Sequence, residues 1–141
     1  MATNLETVLN LARARSLVVR EVDEGLGAHH GLGLNDLAVL LELKEAPGQR
    51  LRRVELARRL AVTPSGVARQ LGPLERMGVV GRESNPADAR LALVVLTPTG
   101  ERVADEAVVT ARDAADRAFA RLWTPAERER LGALLARAAP G

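Results

Sequence analysis

Residues 54 to 100 constrain the fold of this chain more than any other stretch. Val54-Glu55-Leu56-Ala57-Arg58-Arg59-Leu60 has the spacing of a short amphipathic helix, and Thr63-Pro64-Ser65-Gly66-Val67 opens a second. Two β-rich runs follow, Val79 to Glu83 and Leu91 to Leu96, linked through Ser84-Asn85-Pro86-Ala87 and Asp88-Ala89-Arg90. The expected fold is mainly α with a small two-stranded β wing (α+β), a winged helix-turn-helix with helices on either side. Such a unit offers one helix to the major groove of double-stranded DNA and an arginine-bearing hairpin to the minor groove.

Charge is concentrated in the same place. Residues 50 to 90 hold nine arginines against four acids, whereas the net charge of the whole chain is only +2. A phosphate backbone would meet this local excess of positive charge. Lys44 is the only lysine, so the location of the charge carries more information than the choice of arginine. The 141 residues suit one continuous compact domain. There is no cysteine, which rules out disulfides and thiolate metal sites. No targeting or membrane segment is read in the chain, so the expectation is a soluble cytoplasmic protein without a membrane partner.

Outside residues 54 to 100, apolar positions recur at helical spacing from 4 to 26, ending in a glycine-rich break from Gly25 to Gly33. Asn35-Asp36 signals a second helix that ends before Pro47-Gly48, and later helices are expected over 98 to 122 and 125 to about 138. Thr63-Pro64, Thr97-Pro98 and Thr124-Pro125 share one device for starting a helix. Threonine accepts a bond from an orphan backbone N–H, and proline at the first helical position loses nothing by lacking its own. The outer helices are too apolar on one face to stand alone. The expected organisation therefore has dimerisation helices at 1–33 and 98–141 around a winged helix-turn-helix at 34–97, with the helix-turn-helix at 52–77 and the wing at 79–97. A homodimer is the economical way to cover both ends.

In the second helix of the motif, Val67, Leu71 and Leu74 fall on the inward face. Ser65, Arg69, Gly72 and Arg76 fall on the opposite one, with Gln70 beside it. Arg69 has donors for guanine, Gln70 suits adenine, and Ser65 with the N–H groups near Thr63 suits a phosphate. Taken alone, the same pattern describes an ordinary solvated helix face. Arg82, on the first wing run, joins the DNA-binding set. Pro73 is expected to bend or interrupt the helix and confine base reading to residues 64 to 71. In the wing, Asp88 is placed to hold the Arg90 guanidinium in one direction, which suits insertion into a narrow groove. The plain alternative is a surface ion pair worth about 0–1 kcal/mol.

Residues 88 to 100, DARLALVVLTPTG, follow the pattern Asp-x-Arg, five mostly apolar positions, then Leu-Thr-x-x-Gly. This resembles the signature of the multiple antibiotic resistance regulator (MarR) family, and LARRLAVTPSGVARQL upstream is similar to that family's helix-turn-helix. The similarity runs in register over about residues 34 to 105. It implies a winged helix-turn-helix on a triangular homodimer, with Ser65, Arg69 and Gln70 in the major groove and Arg90, supported by Asp88, in the minor groove. It also implies a repressor that releases DNA on binding a small, often aromatic, effector. There are three departures from the pattern. Ala61 replaces a turn glycine and is expected to avoid positive φ, Leu91 replaces a small residue, and Gly72-Pro73 replaces a polar pair.

His29 and His30 lie in the glycine-rich break, where the resemblance places an effector cleft, and are candidates for ligand contact. A metal site there would need Glu21, Asp23 or Glu24, and a solvated loop pair is favoured on ligand count. The glycines of the break do not follow a strand, which removes a dinucleotide reading. No nucleophile is paired with a base, so catalysis is not expected, nor is any cofactor or metal. The leading expectation is a ligand-responsive repressor that binds a pseudo-palindromic operator as a homodimer. The alternatives are a winged-helix protein-interaction module or antirepressor without DNA reading, and a zinc-responsive sensor.

Overall fold

The computed structural model describes residues 1–140. Six helices are present among them: α1 (Asn4–His30), α2 (Leu34–Glu45), α3 (Arg53–Arg59), α4 (Pro64–Arg76), α5 (Pro98–Leu122) and α6 (Pro125–Ala138). Three short strands, β1 (Arg50–Arg52), β2 (Val80–Glu83) and β3 (Leu93–Leu96), form one antiparallel sheet in the order β1-β3-β2. The mainly α expectation holds, but the wing belongs to a sheet of three strands rather than two. No helix of the described residues is long and apolar enough to cross a membrane.

The central position of β3 explains why Leu93-Val94-Val95-Leu96 is more apolar than a half-exposed hairpin strand needs. Leu51 of β1 and Arg82 of β2 both sit opposite Val94, and Val94 and Leu96 point into the core. β1 carries too short an alternation, Arg-Leu-Arg, to be recognised without its partner. The second wing run also starts later than expected, because Ala89–Leu91 forms a 3₁₀ turn before the strand.

α1 runs four residues past its expected end and takes Gly25 and Gly27 into the helix. Each mid-helix glycine costs about 1 kcal/mol relative to alanine, but Gly25 faces α5. A Cβ on it would lie 3.7 Å from Thr110 Cγ2 and 3.8 Å from the Ala114 Cβ. Packing of the two long helices sets the boundary, and the true stop is Gly31 at φ 68°. Opposite α1, the stripe Ala104, Ala107, Ala114 and Ala118 of α5 is wholly buried. The remaining core is built from Leu26, Leu37, Leu40 and Leu43 against Leu56, Val67, Leu71 and Leu74.

All three Thr-Pro starts cap helices as expected, each threonine side chain accepting a backbone N–H two residues beyond its proline. Pro73 does not interrupt α4, which continues through it to Arg76. Proline removes only the bond its own N–H would have given to Arg69, and the buried face of Val67, Leu71 and Leu74 holds both sides of it against the core. Ala61 is the other correction: it adopts φ 55°. Its N–H donates to the Arg58 carbonyl at 3.1 Å and that of Val62 to Ala57 at 3.0 Å. This pair of bonds is a Schellman closure, which imposes the left-handed conformation on the residue between them whatever its side chain.

Candidate nucleic-acid interface

α4 turns polar side chains outward because its apolar face is anchored in the core. With Val67, Leu71 and Leu74 buried, Ser65, Arg69 and Arg76 stand exposed. Thr63 is occupied at the helix start, its Oγ1 accepting the Gly66 N–H at 3.0 Å and lying 3.3 Å from Ser65 Oγ. Arg69 forms no ion pair among the described residues. Gln70 does not share its freedom. It is half-buried, and its Nε2 donates to Asp36 Oδ1 at 3.3 Å, while Oδ2 of the same carboxylate accepts the Gly33 N–H at 2.9 Å. Asp36 therefore joins the start of α2 to the middle of α4, a link that residues so distant in sequence do not announce.

The wing turn is organised by its own side chains. Asn85 Oδ1 accepts the Ala87 N–H at 2.9 Å, and the Leu91 N–H closes onto the Asp88 carbonyl at 3.0 Å. Asp88 then takes three bonds from Arg90. Oδ1 accepts the backbone N–H at 3.0 Å and Nε at 3.1 Å, and Oδ2 accepts Nη2 at 3.1 Å. The Arg90 guanidinium, with the Arg90 N–H and the more distant charge of Arg52, holds the Asp88 carboxyl below the usual range. The fork is fixed on one edge while the side chain remains 90% exposed. Arg82, by contrast, turns back to α4, where its Nε donates to Glu75 Oε1 at 2.7 Å.

The Leu-Thr-x-x-Gly segment is the mechanical joint between wing and α5. Thr97 Oγ1 donates to the Gly78 carbonyl at 2.6 Å and accepts the Gly100 N–H at 2.9 Å. Gly100 passes so close to β2 that a Cβ would lie 1.9 Å from the Val79 carbonyl oxygen. Only glycine fits there.

His29 and His30 sit on the last turn of α1 rather than in a loop. Together with Gly25, Thr110, Asp113 and Arg117 they line an open cleft of about 460 Å³ between α1 and α5. His30 Nε2 is 2.8 Å from Thr110 Oγ1. Among the described residues no group of three or more His, Asp or Glu side chains is placed to hold a metal ion.

The comparisons with known proteins point one way. The family model described as MarR family matches residues 30–91. The HTH-type transcriptional repressor Rv2887 of Mycobacterium tuberculosis is 36% identical over 99 residues, covering 70% of either chain. Among solved structures, Sco3205, a MarR family transcriptional regulator from Streptomyces coelicolor in complex with DNA, superposes with a TM-score of 0.81 at 28% identity, over 98% of this chain and 88% of that one. Rv2887 in complex with salicylic acid has a TM-score of 0.69 at 32% identity, covering 96% of both chains.

Proposed function

Because the chain belongs to the MarR family of winged helix-turn-helix transcriptional regulators, we propose that it is a cytoplasmic, ligand-responsive repressor that binds a pseudo-palindromic operator as a homodimer. In this reading α4 enters the major groove and the wing enters the flanking minor groove. The observation that carries it is the fixed Arg90 fork, held on Asp88 by three bonds yet exposed. A guanidinium already oriented loses less freedom on entering a narrow groove. Arg69 supplies the principal base contact, with Ser65 and Thr63 beside the backbone. The Gln70 amide N–H is engaged with Asp36, so Gln70 reaches an adenine only by giving up that bond. An antirepressor without DNA reading would rest on a broken recognition helix, and α4 is continuous.

A second copy of the chain is the proposed cover for the two ends. Leu5, Val8, Leu11 and Leu17 on the first half of α1 are between 53% and 68% exposed, and no residue of α6 is buried. The proposed effector is a small aromatic acid, in line with the salicylic acid bound by Rv2887. In the cleft, Arg117 would face the carboxylate, and His30 with Thr110 an adjacent hydroxyl. Titrating salicylic acid into a preformed complex with duplex DNA tests the responsive part: release of the duplex is expected, and release that persists in Arg117→Ala would contradict this cleft.

A further inference from the structure

The nine arginines of residues 50 to 90 are not equivalent once their partners are known. Arg50 pairs with Glu83, Arg58 and Arg59 share Glu55, Arg82 pairs with Glu75, and Arg90 with Asp88. Among the described residues, Arg52, Arg53, Arg69 and Arg76 form no ion pair. Arg69 and Arg76 belong to the outer face of α4. Arg52 and Arg53 do not; they lie where β1 runs into α3, and both are exposed.

The sheet register places Arg52 at the wing end of the sheet, and Arg53 follows it in the chain. Arg52 is opposite Leu93 on one side of β3, and Glu83 is opposite Leu93 on the other. This is the end of the sheet from which the loop bearing Asp88 and Arg90 projects. The two flanks of the wing therefore differ in charge. On the β2 side, Arg82 is neutralised by Glu75, and Glu83 is bound to Arg50. On the β1 side, Arg52 and Arg53 form no ion pair among the described residues. The nearness of Arg52 is felt at Asp88, whose carboxyl is held down in part by its charge. A phosphate is attracted to a cation whose field is uncancelled, whereas Arg50, Arg58, Arg59 and Arg82 must first exchange a carboxylate partner. Arg90 differs because it is directed into a groove with its bond to Asp88 kept, not turned onto the backbone.

We propose that Arg52 and Arg53 form a backbone clamp on the β1 flank of the wing, gripping phosphodiester groups of the strand that borders the groove entered by Arg90. The clamp rests on the DNA-binding reading above. It contributes affinity and alignment without sequence preference, because it touches only the backbone. The third strand thereby gains a role beyond completing the sheet, since β1 brings Arg52, with Arg53 next in the chain, to the end of the sheet from which the loop of Asp88 and Arg90 projects, which the hairpin alone would not do.

The salt dependence of duplex affinity, measured for the full chain with a selected duplex and with a scrambled one, tests the clamp. R52A/R53A should reduce the slope of log affinity against log salt by about two units on both duplexes, since each phosphate contact accounts for about 0.9. R52K/R53K should restore most of it, and R58A, which removes an arginine already held by Glu55, should leave it unchanged. Thermal melting of each variant reports whether the fold is intact. A wild-type slope in R52A/R53A, or a loss confined to the selected duplex, would overturn the clamp. A wild-type protein that binds neither duplex would instead overturn the DNA-binding reading on which it rests.

Discussion

Gly100 and Thr97 show how single atoms define the signature of this chain. Adding one methyl group at position 100 places it against the Val79 carbonyl and 2.7 Å from Leu96 Cδ1. Backbone on one side and a core leucine on the other leave no easy relaxation. Gly100→Ala should cost about 3 kcal/mol, the upper end of ordinary overpacking, and denaturant unfolding will read the loss. The opposite change is expected at Ala61. Its left-handed conformation strains an alanine by about 1–2 kcal/mol, partly offset by the greater freedom that glycine has in the unfolded chain. Ala61→Gly should therefore raise stability by about 0.5 kcal/mol. Glu55 gives a residue-level pH prediction. Hydrogen bonds from Arg58 and Arg59 lower its pKa to about 2. A carboxyl depressed on folding stabilises fully above its unfolded value and loses that contribution as pH falls through the folded one. NMR titration of the Glu55 side chain should find its midpoint near pH 2, with Arg58→Ala moving it upward.

At the scale of elements, periodicity and capping residues made the helices legible, and pairing partners decided the rest. The three Thr-Pro starts and the inward face of α4 were readable because their physics is local. The end of α1 was not, since glycine reads as a break until the alanine stripe of α5 requires close approach at Gly25. β1 was invisible for a related reason: three residues have no pattern apart from β3. Of the candidate site, the Asp88–Arg90 bracket was readable from its spacing, but the tie from Gln70 to Asp36 was not. Pro73 belongs here too. Replacing it with alanine restores a donor to the Arg69 carbonyl in a helix that is already continuous, so Pro73→Ala should stabilise the protein by about 1–3 kcal/mol and leave the preferred DNA sequence unchanged. Gln70→Ala should cost about 0.5–1.5 kcal/mol through loss of its bond to Asp36. A base-specific change at one operator position, without loss of stability, would instead return Gln70 to the groove.

For the whole molecule, the reading head and the outer helices pose separate demands. The head is folded and satisfied within one chain, whereas the first half of α1 and all of α6 leave apolar surface in water. In the proposed dimer, a two-fold pairing through these ends would set two copies of α4 side by side, and half-sites about one helical turn apart would follow from that symmetry. The cleft of His29, His30 and Arg117 lies between α1 and α5, so the effector proposed to bind there would alter how the outer helices carry the reading heads. In the proposed function, two copies of the chain related by a two-fold axis read duplex DNA with α4 and the Arg90 wing. Selection from a random duplex pool, run with wild-type protein and with Arg90→Ala, measures it most directly. The expected result is an enriched inverted repeat for the wild type, bound more weakly by Arg90→Ala with a salt slope lower by about one unit. Recovery of no inverted repeat, or equal affinity and slope for the two proteins, would contradict DNA reading by α4 and the Arg90 wing.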